Sequence, residues 1–250
     1  MDRRSAMFVA GGLVLSLIVA AAAGVAILAL IGVGGYIYFF SGLRTSPATL
    51  ALSSASPTAS ASSPAPTGVS GTWTIATGSL VGYRVQELFV GATSKHLAVA
   101  RTSSVSGSLN VSGDASGYQV SAITMTANLS SLHSVDQVAG RDVSQRDGVV
   151  TRQLSVQQFP NATFTATSTS VSGTVTSAPV DVTVPGKLTI RGLTRDVSVN
   201  AKAQMVGDRL EIAGTLTINM SDYGVSPPQA PFVTVDPTAT IEFDLFLTRA

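Results

Sequence analysis

The sequence predicts an all-β domain of roughly eight antiparallel strands, closed as a barrel or stacked as a sandwich. A short helical insertion interrupts it, and one N-terminal transmembrane helix and a disordered linker precede it. Three observations carry this reading. Apolar residues alternate with polar ones in segment after segment from residue 71 onward, the period of strands with one buried face. Turn signals recur between those segments, as Ser112-Gly113-Asp114, Gly117, Gly173, Gly186 and Gly207-Asp208. A run from Met7 to Phe40 contains no charged residue at all.

That run is about 34 residues, or roughly 50 Å as a helix, against roughly 30 Å of bilayer hydrocarbon. It is long enough to span. A secretory signal peptide is the competing reading, with small residues at Ala20 to Ala23, but its apolar core should be roughly 7 to 15 residues long. Arg3 and Arg4 outnumber Arg44 as flanking cations. The positive-inside bias therefore puts residues 1–6 in the cytoplasm as a stub, 7–40 in the membrane as a single-pass anchor, and the rest outside the cytoplasm. Tyr36, Tyr38, Phe39 and Phe40 suit an aromatic belt at the outer interface. Residues 41–70 are rich in Ser, Ala, Pro and Thr, and from Thr45 on carry neither charge nor aromatic ring. Such a segment buries too little apolar surface to offset its ordering entropy, so it reads as a tether.

The domain occupies residues 71–250. Its first strands hold Trp73 and Ile75, then Val81, Tyr83 and Val85; Val105, Leu109 and Val111 follow, then Ile123, Met125, Ala127 and Leu129. Val184, Leu188 and Ile190 share one parity before the turn Arg191-Gly192-Leu193-Thr194, and Val197 and Val199 share one after it, which is a hairpin with one apolar face. Leu210, Ile212, Leu216, Ile218 and Met220 oppose Glu211, Thr215, Thr217, Asn219 and Ser221. In the last strand Ile241, Phe243, Leu245 and Leu247 oppose Thr240, Glu242, Asp244 and Thr248. Residues 134–158 lose the period of two and carry Asp136, Arg146 and Asp147 among valines, so one or two short helices are expected there. Residues 223–237 hold Pro227, Pro228, Pro231 and Pro237 and read as a long loop, too proline-rich for a central strand.

The inventory for catalysis is thin. Histidine occurs only as His96 and His133, cysteine is absent, and no Ser sits in a Gly-x-Ser-x-Gly frame. His133, Ser134 and Asp136 lie close in sequence, but in a serine-rich chain that proximity is expected by chance. No metal-ligand spacing is present. Asn110, Asn128, Asn161 and Asn219 begin Asn-x-Ser/Thr triplets that such a composition produces freely. Arg146-Asp147 reads as a solvated or locally paired helix surface. A net charge of +1 with few aromatics gives no field or stacking platform for nucleic acid. What remains is the interior, which at about eight strands either packs solid or leaves room for one small ligand.

Several pieces together resemble the YceI-like family: Trp73-Thr74-Ile75, Arg146-Asp147, the run QFPNATF from Gln158 to Phe164, GKLTIRGLTRDVSV from Gly186 to Val199, and Ser221-Asp222-Tyr223-Gly224-Val225. Members commonly carry an acidic residue and a His-Ser pair after the opening tryptophan, where this chain has Ala76 and Gly78-Ser79. The resemblance covers residues 71–250. It implies a lipocalin-like barrel, exported in bacteria, that binds a polyisoprenoid lipid in its lumen, with a homodimer as a frequent state. On that reading the lumen-facing, lipid-binding residues are Leu188, Ile190, Val197, Val199, Leu210, Ile212, Leu216, Ile218, Phe243 and Leu245. The bound isoprenoid would be the sole cofactor-like group, no metal or catalytic residue is expected, and Arg191, Arg195 and Asp196 are turn and surface residues. The alternatives are a packed-core envelope or stress-response interaction domain and, more remotely, a hydrolase using His133 or His96.

Overall fold

The structure, a computed structural model, describes residues 28–29, 44–54 and 68–250 apart from 115, 139–140 and 174. The cytoplasmic stub and, but for residues 28–29, the anchor expected at 7–40 lie outside the described residues. Among the described residues no helix is long and apolar enough to cross a membrane.

The ten longest strands among the described residues make the barrel and its flap: β1 Gly71–Ile75, β2 Leu80–Phe89, β3 His96–Thr102, β4 Val105–Asp114, β5 Gly117–Asn128, β6 Asn161–Ser172, β7 Val180–Ile190, β8 Leu193–Val206, β9 Arg209–Asn219 and β10 Thr238–Arg249. One helix, α1, spans Ser144–Gln153. Eight of the strands close a ring of antiparallel ladders in the order β10-β9-β8-β7-β6-β5-β4-β1, with β1 returning to β10. The barrel expected from sequence is therefore the one formed. Closure removes the unpaired edges that a sheet of this length would otherwise expose.

Strand β10 holds the ring together. One edge runs against β9 from Leu210↔Leu247 to Asn219↔Thr238. Its other edge is shared, with Leu247, Thr248 and Arg249 facing β1 while Thr240 to Asp244 face β2. Beyond that point β2 carries β3 on its far side, so one end of the barrel flares into an extra flap of sheet. Curvature comes from a bulge where the β4–β5 register shifts between Ser108 and Asn110, with Ala122 at a φ of 49° on the facing strand.

The hairpin β7–β8 is in register from Val180↔Ala203 to Ile190↔Leu193. Its two turn residues, Arg191 and Gly192, have φ of 53° and 74°, the left-handed pair whose twist matches that of the flanking strands. Arg191 is more than a turn residue. Its guanidinium donates to Ser155 Oγ at 3.2 Å and to the Gly224 carbonyl, joining the turn to the segments after α1 and β9.

Two expectations need correction. Residues 223–237 are not wholly loop, because Val233–Val235 pairs with Phe89, Leu88 and Glu87 at the edge of β2, and all four prolines stay outside that short strand. Nor are residues 46–54 a free tether. Arg84 Nη2 donates to the Pro47 carbonyl at 2.6 Å, the Leu50 amide donates to Glu242 Oε2 at 3.1 Å, and the Ser53 amide and hydroxyl donate to Glu211 Oε1 at 2.8 and 2.7 Å. Arg101 reaches the Ala48 carbonyl and Gln204 Nε2 the Ser53 carbonyl. The segment has no charge of its own, but its backbone groups pair with charged side chains on the outside of the barrel. Glu211 and Glu242, on the outward parity, are fully buried as a result.

Candidate functional site: a two-chambered lumen

Strand parity builds the site. On β2, Val81, Tyr83, Val85 and Glu87 point inward while Arg84 and Gln86 point out; on β9, Leu210, Ile212, Leu216 and Ile218 point inward. Across α1, Arg146, Val149, Val150 and Gln153 fall at i, i+3, i+4 and i+7, one stripe of the helix, and that stripe faces the interior.

The interior is hollow. One chamber, of about 170 Å³, lies under α1 and is walled by residues such as Val81, Tyr83, Val85, Leu129, Val149, Leu154, Ile190, Ile218, Tyr223 and Val235. The second, of about 140 Å³, lies further along the barrel among Val69, Leu109, Val111, Tyr118, Val171, Val199, Leu210, Leu245 and Leu247. On the same measure one water needs only about 10–15 Å³. Met125, Phe164, Leu188 and Ile241 line both chambers and form the partition between them. The Phe164 ring is seated on Gly186, where an added Cβ would come within 2.5 Å of Cζ. The packed-core alternative does not describe this interior.

The chamber under α1 has a polar corner. Asp136 accepts from Arg146 Nη1 at 2.7 Å and the Val99 amide at 3.0 Å through Oδ1; Oδ2 accepts from Arg146 Nη2 at 2.8 Å and lies 2.6 Å from His96 Nε2. Arg146 Nε completes the cluster 3.2 Å from Glu87 Oε1. Burial works against the Asp136 carboxylate, but the hydrogen bonds from Arg146, His96 and Val99 outweigh it and hold the group well below the ordinary range. Burial likewise opposes charge on Arg146, and the Asp136 bond and the Glu87 carboxylate outweigh it. Burial pushes Glu87 up, with Arg146 opposing. Near this corner the Tyr83 hydroxyl is buried with no hydrogen-bond partner, and desolvation holds it far above the usual phenol value. The buried Tyr223 hydroxyl, in the wall of the same chamber, also lacks a partner. Such a group costs about 1–3 kcal/mol.

Nine of the ten residues singled out from the sequence line one chamber or the other. Leu188, Ile190 and Ile218 line the chamber under α1; Leu188, Val199, Leu210, Ile212, Leu216, Phe243 and Leu245 line the other. Val197 shares their face, opposite Gly186, but packs into the core because the Phe164 ring on Gly186 takes the space in front of it. Arg146 corrects the reading of a solvated or locally paired helix surface, since it is the charged member of the inward stripe and its partners, Asp136 and Glu87, lie on other elements. Its neighbour Asp147 accepts from the Ser134 amide and hydroxyl at 2.9 and 2.6 Å. His133, Ser134 and Asp136 do not assemble as a triad, because His133 is exposed and Asp136 is paired with His96. Sequence reasoning missed Tyr83, Glu87 and Arg146 as lumen residues. The period of two in β2 contained the first two; Arg146 was visible only as part of a helical stripe.

A closed antiparallel barrel with a hollow apolar lumen under a helix defines a protein built to enclose a small apolar molecule. Residues 69–247 match the YceI-like domain, and the chain belongs to that family. Among curated relatives, a UPF0312 protein of Pseudomonas putida is 30% identical over 139 residues, 53% of this chain and 67% of its own length. A UPF0312 protein of Pseudomonas syringae pv. tomato is 29% identical over 135 residues, 52% and 65% of the two chains. Among solved structures, a polyisoprenoid binding domain from Saccharophagus degradans implicated in plant cell wall breakdown aligns with TM-score 0.49 at 16% identity, over 72% of this chain and 99% of that one. BcnA of Burkholderia cenocepacia aligns with TM-score 0.41 at 18% identity, over 66% and 95%.

Proposed function

We propose that this protein is a membrane-anchored, extracytoplasmic binding protein that holds a long apolar lipid of polyisoprenoid type in its lumen, for storage, shielding or transport. The observation that carries the reading is the two-chambered cavity, walled by Val, Ile, Leu, Met and Phe. A methyl-branched chain suits such walls, and each Å² it buries contributes about 25 cal/mol before ordering costs. Membership of a family whose resemblance implied isoprenoid binding supports the same ligand class. The uncharged run at 7–40 behind Arg3 and Arg4 supports the anchor and the topology. Binding breaks no bond, so the reading requires no catalytic group.

Mass spectrometry of an organic extract of the purified full chain tests the reading. A stoichiometric isoprenoid lipid is expected; preparations that are repeatedly empty and take up no added polyprenol would overturn it. A reporter enzyme that is active only outside the cytoplasm, fused after Ala250, tests the topology and should be active. A homodimer, the state the resemblance implied, is checked by light scattering of the same preparation.

A further inference from the structure

Exposed apolar side chains gather at one end of the barrel domain. Leu88, Val90 and Phe232 are 38%, 71% and 56% exposed, and among the other described residues of the domain only Leu193 and Val206 are large apolar residues as open as these. Val233 pairs with Phe89, and the Val90 amide donates to the Phe232 carbonyl at 3.0 Å, so Val90 and Phe232 stand side by side. Leu88 shares the parity of Val90, which puts all three on the outer face of the flap at its free tip. Apolar residues exposed singly need no explanation; three together on the tip of a sheet do. Residues 88–95 and 227–235 contain no acidic residue, and the one charge there, Lys95, is a cation 2.7 Å from Asp236. An anionic surface meets no local repulsion at this tip.

The docked segment decides what lies in front of the tip. It enters at the flap, where Ser46 Oγ donates to the carbonyl of Leu97, the residue opposite Gln86; Leu50 and Ser53 then meet Glu242 and Glu211, successively further from the flap. On the anchor reading above, on which this inference rests, only residues 41–45 separate the outer end of the uncharged run from Ser46. Such a stretch reaches about 20 Å at most. From the level of Ser46 the tip projects four strand residues further, roughly 13 Å, on the side where the segment enters. The opposite end, at Arg249, lies roughly 36 Å away along β10, or about 28 Å along the axis of a barrel with ordinary strand tilt. A barrel standing on that end would hold Ser46 beyond the reach of its tether; one standing on the flap would not. We infer that the flap tip is a membrane-contact surface: Leu88, Val90 and Phe232 enter the headgroup boundary of the bilayer that anchors the chain, held against it by the docked segment.

Because the chain has no cysteine, single cysteines can carry the test. The full chain bearing Val90→Cys, Phe232→Cys or Val206→Cys is labelled with nitrobenzoxadiazole and reconstituted into phosphatidylcholine–phosphatidylglycerol vesicles, with and without nitroxide-labelled acyl chains. Val206 is an exposed apolar residue at the β8–β9 turn, the opposite end of the barrel, and serves as the reference. The labels at 90 and 232 should shift to the blue and lose most of their fluorescence to the nitroxide lipid; the label at 206 should do neither. Adding Val90→Asp to the chain labelled at 232 should restore its fluorescence, because a carboxylate opposes entry into the bilayer, while leaving the far-ultraviolet circular dichroism unchanged. Labels at 90 and 232 that report water in vesicle-bound chain overturn the tip assignment and leave the anchor standing. Blue shifts without nitroxide quenching, fading as the protein is diluted in lipid, assign the tip to a second copy of the chain and overturn the assignment as well. A chain that does not float with the vesicles overturns the anchor reading itself, and the tip assignment with it.

Discussion

Asp136 shows how much one buried carboxylate can organise. Its oxygens meet Arg146, His96 and the Val99 amide, which ties α1 to β3 and the segment before it. Asp136→Asn removes the charge opposite a mostly buried guanidinium and should destabilise the fold by about 3–5 kcal/mol, read as a lower urea midpoint at unchanged slope. Its depressed pKa also fixes a pH dependence: the stabilisation is complete above the ordinary carboxylate value and is lost as pH falls below it. Asp244, on the outward face of β10, works the other way. Burial foremost, then the neighbouring Glu211, pushes it up to about 6. Folding therefore favours its protonated form, and that contribution, present below the ordinary value of 3.8, is lost as pH rises through about 6. Asp244→Asn should flatten the stability profile between about pH 4 and 6, checked by thermal melts across that range.

At the scale of the element, the β7–β8 hairpin and the docked segment 46–54 make opposite demands on sequence. The hairpin turn needs Gly192: its φ is 74°, and a Cβ there would come within 2.7 Å of Phe159 Cε1. Gly192→Ala should cost about 1–2 kcal/mol, measured by chemical unfolding. The docked segment is recognised mainly through backbone carbonyls and amides, with Ser46 and Ser53 adding hydroxyl bonds. Deleting residues 46–54 should lower the melting temperature by several degrees, because Glu211, Glu242, Arg84 and Arg101 lose charge-assisted partners. Replacing the segment with a Gly/Ser sequence of equal length should recover most of that loss. No recovery would show that the contacts depend on side chains instead.

For the whole molecule the question is how the two chambers act together. Their partition is thin, since Met125, Phe164, Leu188 and Ile241 line both. Affinity for linear prenols should therefore rise with each added isoprene unit until both chambers are filled, then level off, as a displacement series would show. Gly186→Ala forces the Phe164 ring off its seat and into the partition. It should shorten the chain length at which affinity levels off while leaving short prenols little changed.

Much of this was legible from periodicity. A strand shows its two faces in its sequence, so Leu188, Leu210, Ile212 and Phe243 could be placed on an inner wall without knowing their neighbours. The short helix in 134–158 could be placed by the loss of that period. Whether the wall enclosed space was not legible, because a cavity is what is left after Phe164 finds its seat on Gly186, and those residues meet only across strands. Arg146 read as part of a solvated or locally paired helix surface because its partners, Glu87 and Asp136, come from other elements. Residues 46–54 looked free because every group that holds them lies on the distant barrel strands. Local pattern thus determined the strands and their faces, with barrel and sandwich both open to it; long-range pairing of backbone, charge and ring decided the closure of the barrel, its hollow lumen, its polar corner and the segment strapped outside it.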